Sequence, residues 1–194
     1  MTFRRRAARV FVISGPSGGG KTTVTERLLR LMPRLVRSIS VTTRPMRRGE
    51  RRGRDYQFVS PAAFQRLRRS RGLLEWASVH GAFYGTPKLP VLEALAGGKD
   101  VVLNIDVQGA RQVQRALGAR AVLVFLRPPS WAQLEQRLAR RRTDTPDAIR
   151  QRLAVARREL ACARWYDCTV VNDQLERAVA EVAAIVATHD QRRR

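Results

Sequence analysis

The chain is predicted to be an α/β protein with a central parallel sheet flanked by helices. Three observations predict it. Short, almost wholly apolar runs rich in β-branched residues recur at 10–13, 101–105, 121–126 and 168–171, as buried parallel strands do. Stretches with helical spacing of apolar residues separate them. The first apolar run also leads through a glycine-rich turn straight into a helical pattern.

That first unit carries the most chemistry. The strand Val10-Phe11-Val12-Ile13 is followed by Ser14-Gly15-Pro16-Ser17-Gly18-Gly19-Gly20-Lys21-Thr22-Thr23. Gly15-x-x-x-x-Gly20-Lys21-Thr22 matches the phosphate-binding loop pattern at every fixed position, in its required context of strand, turn and helix. Glycines let backbone N–H groups curl around a phosphate, and the following helix turns its positive end to the same anion. Lys21 is placed to bridge β- and γ-phosphates, and the Thr22 hydroxyl to ligate Mg²⁺, so a Mg²⁺-bound nucleotide is expected. A plain glycine-rich turn would not need all the fixed positions. The chain has 38 Lys+Arg, of which only Lys21, Lys88 and Lys99 are lysines, and one of the three stands here.

At 194 residues with 44% hydrophobic composition, one domain with small inserted lobes is expected. No apolar run approaches the roughly 18 residues of a membrane span, and the basic start leads into too short an apolar run for a signal peptide. A cytoplasmic location is expected. Cys162 and Cys168 suggest neither a disulfide framework nor a zinc site, and His80 and His189 are assigned no metal. The net charge of +22 invites a nucleic-acid reading. Yet the arginines are scattered and aromatics are only 6%, so solvated helix faces and attraction for nucleotides are expected instead. Oligomeric state is not legible.

Along the chain, a helix ends near Met32-Pro33, and Leu35 to Val41 alternates as a strand should. Thr42-Thr43-Arg44-Pro45-Met46-Arg47 opens a loop dense in guanidinium groups. Arg44 and Arg47 beside a proline turn suit a terminal phosphate, and a solvated basic loop is an equal alternative. Asp55 to Val59 is a short strand, Ser60-Pro61 starts a helix to about Gly72, and 73–79 and 83–86 form a hairpin around His80-Gly81. Glu75, between Leu74 and Trp76, faces either a pocket or solvent on an edge strand. A helix spans Pro87 to Ala96, then a strand 101–106 ends in Asp106, at the sheet edge where open α/β folds place their sites. Gln108 to Leu117 is helical, Ala121 to Leu126 a strand, and Ser130 caps a helix to about Arg140. Arg137 to Pro146 is an arginine-rich turn into a helix through Ala163 that carries Arg152. This pair reads as a phosphate-covering lid or as a solvated basic hairpin. A last strand (168–171) and a last helix (175–189) follow, and the Arg192-Arg193-Arg194 tail is expected to be disordered.

In order and spacing, these segments resemble the guanylate kinases, P-loop nucleoside monophosphate kinases, over about 9–189. The resemblance rests on Ser14 to Thr22, Ser40-Val41-Thr42-Thr43-Arg44-Pro45-x-Arg47-x-Gly49-Glu50, Gly53-x-Asp55-Tyr56-x-Phe58-Val59, Glu75-Trp76-Ala77, Tyr84-Gly85-Thr86, Ile105-Asp106-x-Gln108-Gly109 and Val171-Asn172-Asp173. It implies transfer of the ATP γ-phosphoryl to GMP. It implies a core of about 9–34, 87–130 and 165–190, a mixed-β GMP-binding lobe of about 35–86 and a helical lid of about 131–164. By the same resemblance Arg44 and Arg47, with Tyr56 and Tyr84, hold the GMP phosphate, and Ser40, Glu75 and Thr86 hold guanine. Asp106 lies near the nucleotide and metal. Arg137, Arg141 and Arg152 approach the ATP phosphates, and Asn172 lies near adenine. Two positions depart from the pattern: Asn104 stands where an acid is expected, and Arg142 where a glycine is.

The attacking group would already be a phosphate oxygen, so catalysis by positioning and charge neutralisation is expected, with no strong base. Three other readings compete. A ribose-bisphosphate kinase of this fold would need no guanine pocket. A non-catalytic scaffold module need not keep Lys21. A nucleic-acid binder would show strong salt dependence.

Overall fold

The computed structural model describes residues 7–79, 81–139 and 146–191. Five parallel-type strands lie in the order β2-β7-β1-β8-β9, namely Leu35–Arg37, Asp100–Asn104, Val10–Ser14, Ala121–Arg127 and Cys168–Val171. Helices flank this central sheet. A separate four-stranded mixed sheet has the order β4-β3-β6-β5, namely Gln57–Phe58, Val41–Thr42, Ala82–Pro87 and Leu73–Val79. The chain divides into two compact units. One gathers Arg34–Leu103 and Gln108–Ala121 with the chain up to Val10; the other gathers Phe11–Pro33, Asn104–Val107 and the chain from Val122 onward.

In the first unit, β2 runs parallel to β7 with Leu35 opposite Asp100. The mixed sheet is built on the β5–β6 hairpin, in which Glu75 pairs with Thr86 and Ala77 with Tyr84. β6 pairs antiparallel with β3, and β3 parallel with β4. Helix α2 (Pro61–Arg69) starts as its residues dictate: proline occupies the first turn, and the Ser60 hydroxyl accepts from the Ala63 N–H at 3.2 Å. Helices α3 (Lys88–Ala96) and α4 (Val107–Leu117) complete the named helices of this stretch.

The alternating run 35–41 is not one strand. The Ser38 N–H donates to the Val102 carbonyl at 3.2 Å, continuing the β2 ladder, whereas the Ser40 carbonyl accepts from the Gln57 N–H at 2.9 Å. The chain therefore changes sheets between Ser38 and Ser40. Alternation survives because both pieces are strands, and a period of two says nothing about which sheet a strand joins. The expected strand 101–106 also stops early: β7 ends at Asn104, and Asp106 lies in the link before α4.

In the second unit, β1 is buried at all five positions and β8 at six of seven, as strands covered on both faces must be. β8 runs parallel to β9 from Val124 opposite Cys168 to Arg127 opposite Val171. Helices α1 (Lys21–Leu31) and α7 (Leu175–Gln191) pack together, burying Val24 and Leu28 on one side and Ala178, Val182 and Val186 on the other. Helices α5 (Trp131–Ala139) and α6 (Pro146–Ala161) share a small core of Leu134, Leu138 and Ala156, with Trp131 and Leu153 against it. No described helix is long and apolar enough to cross a membrane.

Candidate active site

The phosphate loop is shaped from below and from the side. Gly15 has φ +141, and a Cβ there would lie 2.3 Å from the Leu126 carbonyl oxygen of β8. Only glycine lets the loop cross that strand so closely. Gly20 has φ +90, and a Cβ would come within 2.1 Å of Asn172 Nδ2. Asn172, 7% exposed at the end of β9, donates that amide to the Gly19 carbonyl at 2.8 Å. Its own carbonyl accepts from Arg137 Nη2 at 3.1 Å. Asn172 thus braces the loop and tethers a helix α5 arginine, a structural task beyond the adenine contact expected from the sequence.

Lys21 Nζ donates to the Gly15 carbonyl at 2.7 Å and the Pro16 carbonyl at 3.1 Å. Thr22 is exposed, and its hydroxyl oxygen accepts from Asn104 Nδ2 at 3.2 Å. A cleft of about 480 Å³ lies over the loop, lined by Ser17, Gly18, Gly20, Lys21, Thr22, Thr23, Arg137 and Asn172, together with Asp173 and Leu175. The last two were given no role from the sequence, although Asp173 lies in one of the segments that carry the resemblance. Ser14, Gly15, Pro16 and Gly19 are buried beneath it. Arg152 is half-buried on α6 and does not line the cleft, nor does Asp106. Arg141, and with it Arg142, lies outside the described residues, as do His80 and the Arg192 to Arg194 tail.

Glu159 on α6 was missed, being one of two acids in an arginine-rich helix. It accepts from the Ser17 N–H of the loop. Burial pushes its carboxyl up to about 7, with the Asp106 charge adding to this and the Lys21 charge and the Ser17 N–H opposing it. A carboxyl raised by folding favours the protonated fold, so its contribution is complete below its ordinary value near 4.5 and lost as pH rises through about 7. The Glu159→Gln variant is expected to lose less stability than wild type between pH 5 and pH 8, by at most about 3 kcal/mol. Paired thermal melts at the two pH values measure this; equal losses would show that Glu159 does not titrate in that window.

The first unit carries the second half of the predicted set. Arg44, just past β3, donates through Nε to the Tyr84 hydroxyl at 3.1 Å. Its guanidinium carbon lies 5.0 Å from the Tyr56 ring centre and 5.6 Å from that of Phe58, and the Tyr56 and Tyr84 rings meet edge to face at 5.9 Å. Glu50 grips the same guanidinium at 2.7 and 2.5 Å. The Arg44 side-chain hydrogen bonds, then the Arg47 backbone N–H and the charges of both arginines, hold the Glu50 carboxyl below the ordinary range despite some desolvation. Arg47 is exposed, and its backbone N–H also donates to Glu50, at 2.8 Å. Arg44 is therefore no solvated loop residue.

Glu75 is 3% exposed, and the Thr86 hydroxyl donates to its Oε1 at 2.6 Å. This settles the pocket-or-solvent alternative against solvent. Ser40 is half-buried at the head of β3. The structure thus brings Arg44, Tyr56 and Tyr84 together, pairs Glu75 with Thr86, and assigns Asp106 to the other unit, where its charge is felt at Glu159 and Tyr166. Among the described residues, no three His, Cys, Asp or Glu side chains gather as a metal cluster.

The guanylate kinase family profile matches residues 7–189. The chain belongs to the guanylate kinase family. A guanylate kinase of Oleidesulfovibrio alaskensis is 51% identical over 181 residues, covering 93% of this chain and 87% of that one. One from Gloeobacter violaceus is 51% identical over 195 residues, covering 96% and 95%. The crystal structure of guanylate kinase from Anaplasma phagocytophilum superposes with a TM-score of 0.81 at 31% identity, covering 95% of this chain and 87% of that one. Guanylate kinases are ATP:GMP phosphotransferases, so the reaction is transfer of the γ-phosphoryl from ATP to GMP, giving ADP and GDP, and the substrates are ATP and GMP.

Proposed function

We propose that this guanylate kinase effects the transfer by positioning and charge neutralisation, with ATP on the phosphate loop and GMP in the four-stranded lobe. The observation that carries the residue assignment is the pairing, within one small sheet, of a buried carboxylate and a phosphate-type cation cluster: Glu75 with Thr86, and Arg44 with Tyr84. The carboxylate reads guanine, with Ser40 and Thr86 assisting. Arg44 and Arg47, with Tyr56 and Tyr84, hold the acceptor phosphate.

On the donor side, Ser14 to Thr23 wrap the ATP phosphates, and Lys21 exchanges its loop carbonyls for β- and γ-oxygens. Arg137 supplies charge from the cleft wall, with Arg141 and Arg152 as the further lid cations. Asn172 holds the loop while bordering the adenine side. The donor set fits Mg²⁺, which takes few protein ligands and otherwise phosphate oxygens and water. The exposed Thr22 hydroxyl, oriented by Asn104, would hold it, with Asp106 as a second candidate. When bound, Mg²⁺ supplies neutralisation of phosphate charge. The acceptor oxygen needs no base, so the residues' work is to align it and exclude water.

We also propose the division into a core (about 9–34, 87–130 and 165–190), a GMP-binding lobe (about 35–86) and a lid (about 131–164). The setting is cytoplasmic purine nucleotide metabolism, where both substrates are available. The excess arginine is solvated surface, and a salt-dependent gel shift with nucleic acid tests that part. A coupled ATP-consumption assay with GMP, AMP, CMP and UMP in parallel tests the function. GMP should be turned over far faster than the other three. Comparable turnover of AMP would overturn the assignment of Glu75, and no turnover of any would overturn the reading as a whole.

A further inference from the structure

The Arg44 guanidinium has five N–H groups, and four are committed. Nε donates to the Tyr84 hydroxyl, Nη1 to the Pro45 carbonyl and Glu50 Oε2, and Nη2 to Glu50 Oε1. One N–H on Nη2 is left. Arg44 therefore cannot offer a bidentate fork to a phosphate while Glu50 holds it. The plane of the guanidinium is nevertheless fixed, because all of these bonds must be met at once and the Tyr56 and Phe58 rings flank it.

The same set prepares its neighbours. The Tyr84 oxygen accepts from Arg44, so its hydroxyl proton is directed elsewhere. Glu50 also takes the Arg47 N–H at 2.8 Å and so closes the turn from which the Arg47 side chain projects. The Glu50 N–H donates back to the Arg47 carbonyl at 3.1 Å. One carboxylate thus fixes the Arg44 guanidinium and the backbone turn that carries Arg47.

We infer that Glu50 is a positioning residue for the acceptor phosphate: it holds Arg44 and the Arg47 turn so that one Arg44 N–H, the Arg47 guanidinium and the Tyr84 hydroxyl converge on the GMP phosphate. This rests on the assignment of GMP to the four-stranded lobe. The carboxylate is not itself a phosphate ligand, since two anions would repel. It converts the flexible fork of an arginine into one fixed donor. The desolvated carboxylate and guanidinium offset each other's charge, and a side chain at 11% exposure beside one at 20% has less solvent screening than an open loop pair.

The test uses Glu50→Gln and Glu50→Asp, with Arg44→Ala as reference, in steady-state assays varying GMP and ATP separately, with thermal melts of each variant. Glu50→Gln loses the charge and presents an amide N–H₂ to donors, so the Michaelis constant for GMP should rise about tenfold or more, with that for ATP within twofold. Glu50→Asp keeps the charge on a shorter stem and should recover part of the loss. An unchanged Michaelis constant for GMP would overturn the inference. So would a lowered one, because Glu50 would then compete with the phosphate. Equal losses for both substrates, tracking a lowered melting temperature with no rescue by aspartate, would make Glu50 a merely structural residue. If Glu50→Gln does not fold, the aspartate variant decides, by the same split between GMP and ATP. If wild type turns over GMP and Arg44→Ala weakens GMP while the Glu50 variants do not, only this inference fails. If Arg44→Ala leaves GMP untouched, the lobe assignment fails with it.

Discussion

Replacing Lys21 with alanine is expected to lower turnover by about 10³- to 10⁵-fold while leaving the fold in place. A cation placed on the transferring phosphoryl group is worth that much in related chemistry. Lys21 is half-buried and tied to the Gly15 and Pro16 carbonyls, so its ammonium is already over the loop where β- and γ-phosphates would lie. Removing it costs the loop the hydrogen bonds at the Gly15 and Pro16 carbonyls. The loop keeps the Asn172 amide on the Gly19 carbonyl and the Gly19 N–H on the Pro16 carbonyl at 3.0 Å, so its course should survive. Turnover at saturating GMP and ATP, together with a melting curve, makes the measurement. A folded variant whose turnover stays within tenfold of wild type would remove Lys21 from the catalytic set.

The loop was legible because its chemistry is local. Strand, glycine spacing, lysine and helix lie within 10–31, and no distant residue is needed to recognise them. The brace was not legible in the same way. Asn172 lies 153 positions from Gly19, and nothing in the spacing of either says that an amide will meet that carbonyl. Gly20 gave a hint, since a residue without a Cβ leaves room for a neighbour, but not which neighbour. The parallel strands were readable from buried apolar runs. The division of 35–41 between two sheets was not, because alternation reports which face is buried and not the ladder partner.

The acceptor half was only partly legible, for a related reason. Arg44 and Arg47 stood out as arginines beside a proline, but a solvated loop would look the same in sequence. What separates the two cases is Glu50, six residues from Arg44, with two oxygens that reach two N–H groups of one guanidinium. Glu159 was hidden further, because its surroundings are set by the packing of α6 and not by its sequence neighbours Arg157 and Arg158. Charge pairs such as these are fixed late in the chain of causes, by which elements pack and not by which residues adjoin.

Glu75→Gln is expected to compress the preference for GMP over AMP, chiefly by harming GMP. Guanine presents two adjacent donors on its pairing edge, N1–H and N2–H, and an ionised carboxylate only accepts. Glu75 is 3% exposed, and Thr86 donates to it at 2.6 Å, so the carboxylate is held across the β5–β6 hairpin in a poorly solvated place. Adenine offers an unprotonated N1 there, which would oppose the carboxylate with no proton between them. Inosine monophosphate keeps N1–H and lacks the amine. It should lose one charge-assisted hydrogen bond, about 1.5–3 kcal/mol, or roughly 10- to 150-fold in specificity constant. AMP should fare worse than inosine monophosphate, since its mismatch leaves the buried charge unpaired. Glutamine is nearly isosteric, and the Thr86 hydroxyl can still donate to its amide oxygen, so the hairpin should keep its shape. The amide can accept one guanine proton but turns a donor toward the other, which removes the match. Specificity constants for GMP, inosine monophosphate and AMP, measured on wild type and variant alongside melting curves, decide the matter. A folded variant that keeps the wild-type ranking and ratios would reduce the Glu75–Thr86 pair to a structural contact of the hairpin and place the guanine reader elsewhere.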